Sequence, residues 1–478
     1  MEKSKWQKAF GEDVMPIGAY CSPQPATVYN GVEYPTKITE KHYQMLADMG
    51  VNLVYGHVEQ IGTESEPLVF EALDFCNKAG IKYLVRDCIS YQYVANGLNP
   101  DERGYQSLTQ EEKENLHKTF IESTKKYINH PACAGVSFYD EPGIISFAGI
   151  ADAQRVFKKE YPNKIFYVNL SPNNISSEQL EFGAHYARFK KSEDPNIRIG
   201  VPNDKRYEYY LNKYFEAGIP DLISYDSYPF TTLENIETVI HNTLWEIQQI
   251  VNVFGKKYGV PYWNFLQIGG KWDGWYREVN YAEMLLQIHI SLAYGAKGIE
   301  LFPCCFPNDF LTCGDICCGV FDQYGNPTKY YHWLSVIFKQ VKAVEKYLMN
   351  SELKNTITAG KYSGLLPSKE EINKIQWNEC IYQGELPEYG NINVDRYKEL
   401  IAVDATSQVF IGCFDCDGET LYYLVNNSIV SATNVKLTFD GVYNFTVVKD
   451  GKEVAQACSE LYFQCVPAGD GILIKINK

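Results

Sequence analysis

The feature that most constrains this chain is a unit that recurs through its first two-thirds: a helix-like stretch ends at a glycine and a short apolar run follows at once. It occurs at Met49-Gly50-Val51, Ala79-Gly80-Ile81, Ala217-Gly218-Ile219, Tyr258-Gly259-Val260 and Tyr294-Gly295-Ala296. A glycine just past a helix end takes the left-handed conformation that caps it, so each of these marks a return from helix to strand. Helix and strand in steady alternation mean βα units around a parallel sheet.

The apolar runs give eight candidate strands: Pro16 to Cys21, Asn52 to His57, Lys82 to Arg86, Gly135 to Tyr139, Ile165 to Leu170, Leu222 to Asp226, Tyr262 to Gln267 and Gly298 to Phe302. Eight such units close a (β/α)8 TIM barrel. Thr39 and the Thr109-x-x-Glu112 pattern supply helix starts, and Tyr330 to Leu348 has the spacing of a closing helix. An open doubly wound sheet is the alternative, but no glycine-rich phosphate turn follows any strand. From Val409 onward, short strand-like runs alternate with Asp417-Gly418, Asp440-Gly441 and Asp450-Gly451 turns. That texture predicts an antiparallel β-sandwich. The expected division is a barrel over 1–350 and a sandwich over 351–478, with the boundary falling between 350 and 400.

A net charge of −15 argues against nucleic acid or an anionic membrane as partner. No run is apolar and long enough to span a bilayer. Met1 to Trp6 lacks the apolar core of a secretory signal, so the expectation is a cytoplasmic protein whose 14 cysteines are reduced thiols. Cys304, Cys305, Cys313, Cys317 and Cys318 cluster after strand eight, and Cys413 and Cys416 form one C-x-x-C. A single C-x-x-C inside a β domain lacks the second pair of a structural zinc site, and rim packing is the expectation for the five loop thiols, with no metal and no cofactor.

In a barrel of this kind the C-terminal strand ends carry the chemistry. They present Tyr20, His57, Arg86 and Asp87, Asp140 and Glu141, Asn169, Asp226 and Tyr228, Gln267, and Glu300. This rim of acids, amides and phenols has no zinc spacing and no serine on a nucleophile elbow. Asp140-Glu141-Pro142 is the sharpest motif, because two adjacent carboxyls fall where a strand stops; as an isolated tripeptide it would read as a helix cap. Carboxyls without phosphate or metal chemistry point to glycoside hydrolysis, in which one acid protonates the leaving oxygen and a second group meets the oxocarbenium ion. An aromatic share of 14% suits a carbohydrate substrate, and Trp263, Trp272, Trp275, Tyr276 and Tyr228 are candidate stacking residues.

With an acid closing strand four, Asp226-Ser227-Tyr228-Pro229 closing strand six, Phe265-Leu266-Gln267 closing strand seven and a sandwich appended, the chain resembles bacterial (β/α)8 glycoside hydrolases. Retaining β-glycosidases of the large clan end strand four in Asn-Glu and strand seven in a nucleophilic Glu. Here Asp140-Glu141 and Gln267 occupy those places. The adjacent Asp-Glu resembles instead the substrate-assisted β-N-acetylhexosaminidases, including those with an Asp-Glu-Pro motif. That resemblance implies that Asp140 orients a 2-acetamido group, Glu141 is the acid/base, and Tyr228 or Asn169 completes the clamp. Two alternatives stay open: a second catalytic carboxyl at Asp226 or Glu300, the former similar to retaining α-glycosidases with an acid on strand six, and a carbohydrate-binding barrel without catalysis.

Overall fold

The computed structural model describes residues 5–94, 105–172, 177–183, 206–226, 228–230, 254–270, 276–313, 317–360 and 396–477. Eight parallel strands close the barrel: β1 (Ile17–Ala19), β2 (Leu53–Tyr55), β3 (Lys82–Val85), β4 (Cys133–Asp140), β5 (Ile165–Leu170), β6 (Ile223–Tyr225), β7 (Tyr262–Gln267) and β8 (Gly298–Phe302). They pair in sequence order, and β1 completes the ring by pairing both β2, with Gly18 opposite Leu53, and β8, with Gly18 opposite Glu300. Strand residues are buried on both faces, as a parallel sheet covered by helices requires.

The helix starts follow the sequence. Thr109 and Glu112 form a reciprocal capping box at the head of the helix Gln110–Thr124, and Thr39 caps Glu40–Met49. Four of the five punctuating glycines, Gly50, Gly80, Gly259 and Gly295, take positive φ between 66° and 114°. Gly218 is the exception. It has no left-handed backbone, and its small size serves packing, since a Cβ there would press on Ala151.

Beyond the closing helix Lys329–Met349 comes an antiparallel sheet of seven strands: β9 (Glu352–Ala359), β10 (Leu400–Ala405), β11 (Val409–Cys416), β12 (Glu419–Asn426), β13 (Thr433–Lys449), β14 (Lys452–Val466) and β15 (Gly471–Asn477). It curls as a β-sandwich around its own core of Ile357, Val409, Leu424, Leu437, Phe445 and Ile474. Asp417-Gly418 and Asp450-Gly451 are tight turns with positive φ at both residues. Asp440-Gly441, expected as a third, lies instead inside β13. The register of β13 shifts between Thr438 and Tyr443, so this strand pairs β10 at one end and β15 at the other.

Alternation along β12 divides the sheet's two duties. Tyr422 faces the sandwich core, and Tyr423 faces the barrel, where its hydroxyl meets His289 Nδ1 at 2.8 Å. Phe410 of β11 stacks on Tyr294 at 4.4 Å, and a side chain at Gly412 would run into the Ala293 carbonyl. Among the described residues no helix is long and apolar enough to cross a membrane.

Candidate active site

Asp140, Asn169 and Ser224 are laid side by side by the barrel register: Asp140 is opposite Asn169, and Asn169 is opposite Ser224. The Asn169 amide nitrogen donates to Asp140 Oδ1 at 2.9 Å and to Asp226 Oδ1 at 2.8 Å. Two oxygens bonded to one nitrogen can stand no farther apart than those two lengths together. Tyr20 donates to the other oxygen of Asp140 at 2.9 Å, and Tyr228 donates to Asp226 at 3.0 Å. Burial pushes both phenols well above their ordinary range, so they remain neutral donors.

Successive strand residues point to opposite faces, so Asp140 and Glu141 would part company on a regular strand. They do not, because Glu141 takes φ +48°, in the left-handed region. Its backbone N–H is held by the Asn169 carbonyl at 2.9 Å, and Tyr210 donates to the carbonyl of Pro142 at 2.8 Å. The turn brings the Glu141 side chain into hydrogen-bonding contact with Asp226. Three carboxyls from the ends of β4 and β6 thus share one corner. Burial, and after it the charge of Asp140, pushes Asp226 far above the ordinary carboxyl range. Asp226 therefore holds a proton at pH values where an exposed carboxyl would not.

The flanks differ. On the β2–β3 side stand His57 and Arg86, both half-buried. Arg86 donates to Tyr91 at 3.2 Å and lies within electrostatic reach of Asp140. Burial and the neighbouring guanidinium lower His57 to about 4, so its imidazole is neutral at pH 7. On the other side is an aromatic wall. Tyr228 stacks on Phe302 at 5.4 Å and meets Tyr276 edge-on at 5.8 Å, and Phe310 stands beyond Phe302.

Several expected rim residues do not open onto this corner. Gln267 is fully buried, and its amide is a backbone clasp: Oε1 accepts from Phe230 N–H at 2.9 Å, and Nε2 donates to the carbonyls of Phe230 at 2.8 Å and Arg277 at 3.1 Å. It ties the loop after β6 to the segment after β7 rather than facing a ligand. Glu300 points into the barrel, 1% exposed, and is hydrogen-bonded to Tyr55, Tyr167 and Ser224. As an expected substrate contact or displaced nucleophile it is corrected to an interior group. Asp87 caps the turn Cys88–Gln92 and binds Ser123 and Tyr127, and Trp263 is buried in the barrel. Trp272 and Trp275 lie outside the described residues.

Cys21, Cys304, Cys305 and Cys318 are buried together beneath the rim, and burial raises the Cys21 and Cys304 thiols well above their ordinary range. The side chains of Cys313 and Cys317 lie outside the described residues, and Cys413 is buried in the sandwich core. Among the described residues no three His, Cys, Asp or Glu are placed to hold a metal ion.

The sequence reading missed Tyr55, Tyr167, Ser224 and Phe302. Period two would have found the first three, since they precede His57, Asn169 and Asp226 by two residues and so share their inward face.

Comparison with known proteins gives the fold. No family model matches the sequence and no curated protein matches it. A glycoside hydrolase family 5 structure from Bacteroides vulgatus superposes with a TM-score of 0.50 at 10% identity, covering 97% of this chain and 89% of that one. A structure described as a glycoside hydrolase gives 0.47 at 11% identity, covering 92% and 88%. A glucosidase from Croceicoccus marinus gives 0.41 at 10%, covering 98% and 96%. At 10% identity the likeness to the family 5 structure carries the architecture and assigns no residue a role.

Proposed function

We propose that this chain is a glycoside hydrolase whose chemistry is carried by Asp140, Glu141 and Asp226. Glu141 is the acid/base at the mouth of the barrel. Asp140, its two oxygens bound by a phenol and an amide, is the charged group that meets the developing oxocarbenium ion, directly or by orienting a substrate 2-acetamido group. The barrel carries the reaction and the sheet from Glu352 onward braces it. The substrate is a carbohydrate, with the aromatic wall of Tyr228, Tyr276 and Phe302 available for stacking.

The observation that carries this reading is the spacing of the carboxyls. Asp140 and Asp226 share the Asn169 nitrogen at 2.9 and 2.8 Å, and Glu141 touches Asp226. Retaining glycosidases hold their carboxyls roughly 5 Å apart, whereas inverting ones need roughly 6.5 Å or more for an intervening water. The shared amide keeps the bonded oxygens of Asp140 and Asp226 inside the second limit, which favours retention where those two carboxyls are nucleophile and acid.

A second assignment within the same class has its own support. The raised proton affinity of Asp226 suits a general acid on β6, with Asp140 as the nucleophile on β4. Paired aryl glycosides separate the two: β-GlcNAc and β-GalNAc against β-Glc and β-Gal, with the α-anomers alongside. Turnover confined to N-acetyl sugars supports substrate assistance by Asp140 and Glu141. Turnover of sugars without the acetamide supports Asp140 and Asp226 as nucleophile and acid. Saturable sugar binding with no turnover of any member would sink the hydrolase reading in favour of a binding barrel.

A further inference from the structure

Beneath the three carboxyls lies a polar group that the reaction above does not use. Glu300 of β8 is ringed by Tyr55 of β2, Tyr167 of β5 and Ser224 of β6. Five contacts of hydrogen-bond length run among these residues, the last of them from Ser224 to Asn169. Tyr55 and Tyr167 each reach Glu300 Oε1 at 2.5 Å, and Ser224 reaches Oε2 at 2.6 Å. Tyr167 meets Ser224 Oγ at 2.8 Å, and Ser224 meets Asn169 Oδ1 at 3.1 Å.

Counting protons assigns the state of this network. Three hydroxyls bring three protons to five contacts. Were Glu300 ionised, its carboxylate would draw all three, because a charged acceptor outcompetes a neutral one. The amide oxygen of Asn169 would then have no donor in Ser224. With a proton on Oε2, Glu300 donates to Ser224, Ser224 donates to Asn169, and both tyrosines donate to Oε1. Four of the five contacts then carry a proton, and the chain runs one way: from Glu300 through Ser224 to Asn169, whose N–H groups end on Asp140 and Asp226. The groups around Glu300 are Ser224, Tyr167 and Tyr55, whose hydrogen bonds lower its pKa, and, one layer up, Asp226, which raises it once ionised. Burial is the largest influence and lifts Glu300 to about 7.

We propose that Glu300 is a positioning residue of this site: kept protonated, it orients Ser224 and through it the Asn169 amide, which sets the separation of the Asp140 and Asp226 carboxyls. The inference rests on the proposed hydrolase chemistry for its consequence in turnover, but not for the protonation state. Two measurements on the full-length protein test it. In the infrared, the difference spectrum at pH 6 between wild type and Glu300→Gln shows the carbonyl stretch of one neutral carboxylic acid; a lost carboxylate band in its place overturns the proposal whatever the activity. In kinetics, Ser224→Ala lowers kcat at least tenfold with KM within twofold, and Ser224→Thr, which restores the hydroxyl, recovers most of it. An unchanged kcat in Ser224→Ala overturns the positioning role even if the neutral acid is seen. A wild type that turns over no glycoside, with the neutral acid present, defeats the hydrolase reading and with it the role in turnover, leaving the protonated network itself in place.

Discussion

Asn169 is the penultimate residue of β5 and Gln267 the last of β7, and both are buried primary amides at the barrel rim with exposures of 2% and 0%. Asn169 donates to two carboxyls, whereas Gln267 gives both ends of its amide to main-chain groups of two loops. The same functional group therefore holds carboxyls at one strand end and loops at another, and its neighbours decide which. Carboxyls converge around β4 to β6. Around β7 the chain returns on itself, and an unpaired backbone group there would cost more than a missing side-chain contact.

Substitutions that treat the two ends as equivalent would break this contrast. The largest effect is expected inside the carboxyl corner: Glu141→Gln should lower kcat on a glycoside with a poor leaving group by roughly 10²–10⁴-fold, and much less on an activated aryl glycoside that needs no proton. Equal losses on the two substrates would remove Glu141 as the acid. Next, Asn169→Ala should cost on the order of 10²-fold in kcat with a small change in melting temperature, since it frees two carboxyls without emptying the core. Gln267→Ala should show the opposite profile, about 3 kcal/mol of unfolding free energy from stranded backbone groups, measured by urea titration. If it instead lost activity at unchanged stability, the division between the two amides would be wrong.

Glu300 gives a pH test of the same contrast. Its folded pKa of about 7 lies above the ordinary 4.5, so the folded state binds the extra proton. Its stabilising contribution is full below about 4.5, declines between 4.5 and 7, and is gone above that window. The melting temperature of Glu300→Gln relative to wild type should therefore rise with pH across that interval and level off beyond it. Gln267→Ala, which alters no titrating group, should run parallel to wild type. The smallest expected effect lies far from the rim: Tyr423→Phe removes one hydrogen bond to His289 and should cost about 1 kcal/mol, with kcat unchanged.

The contrast also explains what could be read from the sequence. The barrel was legible because each strand is a local event, an apolar run behind a helix stop, and all eight expected runs form the ring. Asp140, Glu141 and Asp226 were legible as strand-end carboxyls for the same reason. The fate of Gln267 was not, because it depends on two loops meeting over it, nor was the interior position of Glu300, which depends on phenols from β2 and β5 reaching across the barrel. In the sandwich, Asp440-Gly441 carried a turn signal that pairing with β10 and β15 overrode. Local chemistry proposes a turn, but a ladder on both sides of a bulge outweighs it.

The left-handed backbone at Glu141 carries a local conformational cost. A side chain with a Cβ costs on the order of 1 kcal/mol in that conformation, and Gly would relieve it. Among the described residues Asn30, Lys398, Asp417, Asp450 and Cys465 share that conformation, and Glu141 differs from them in that its side chain meets Asp226, so the local strain there goes with the convergence of the three carboxyls.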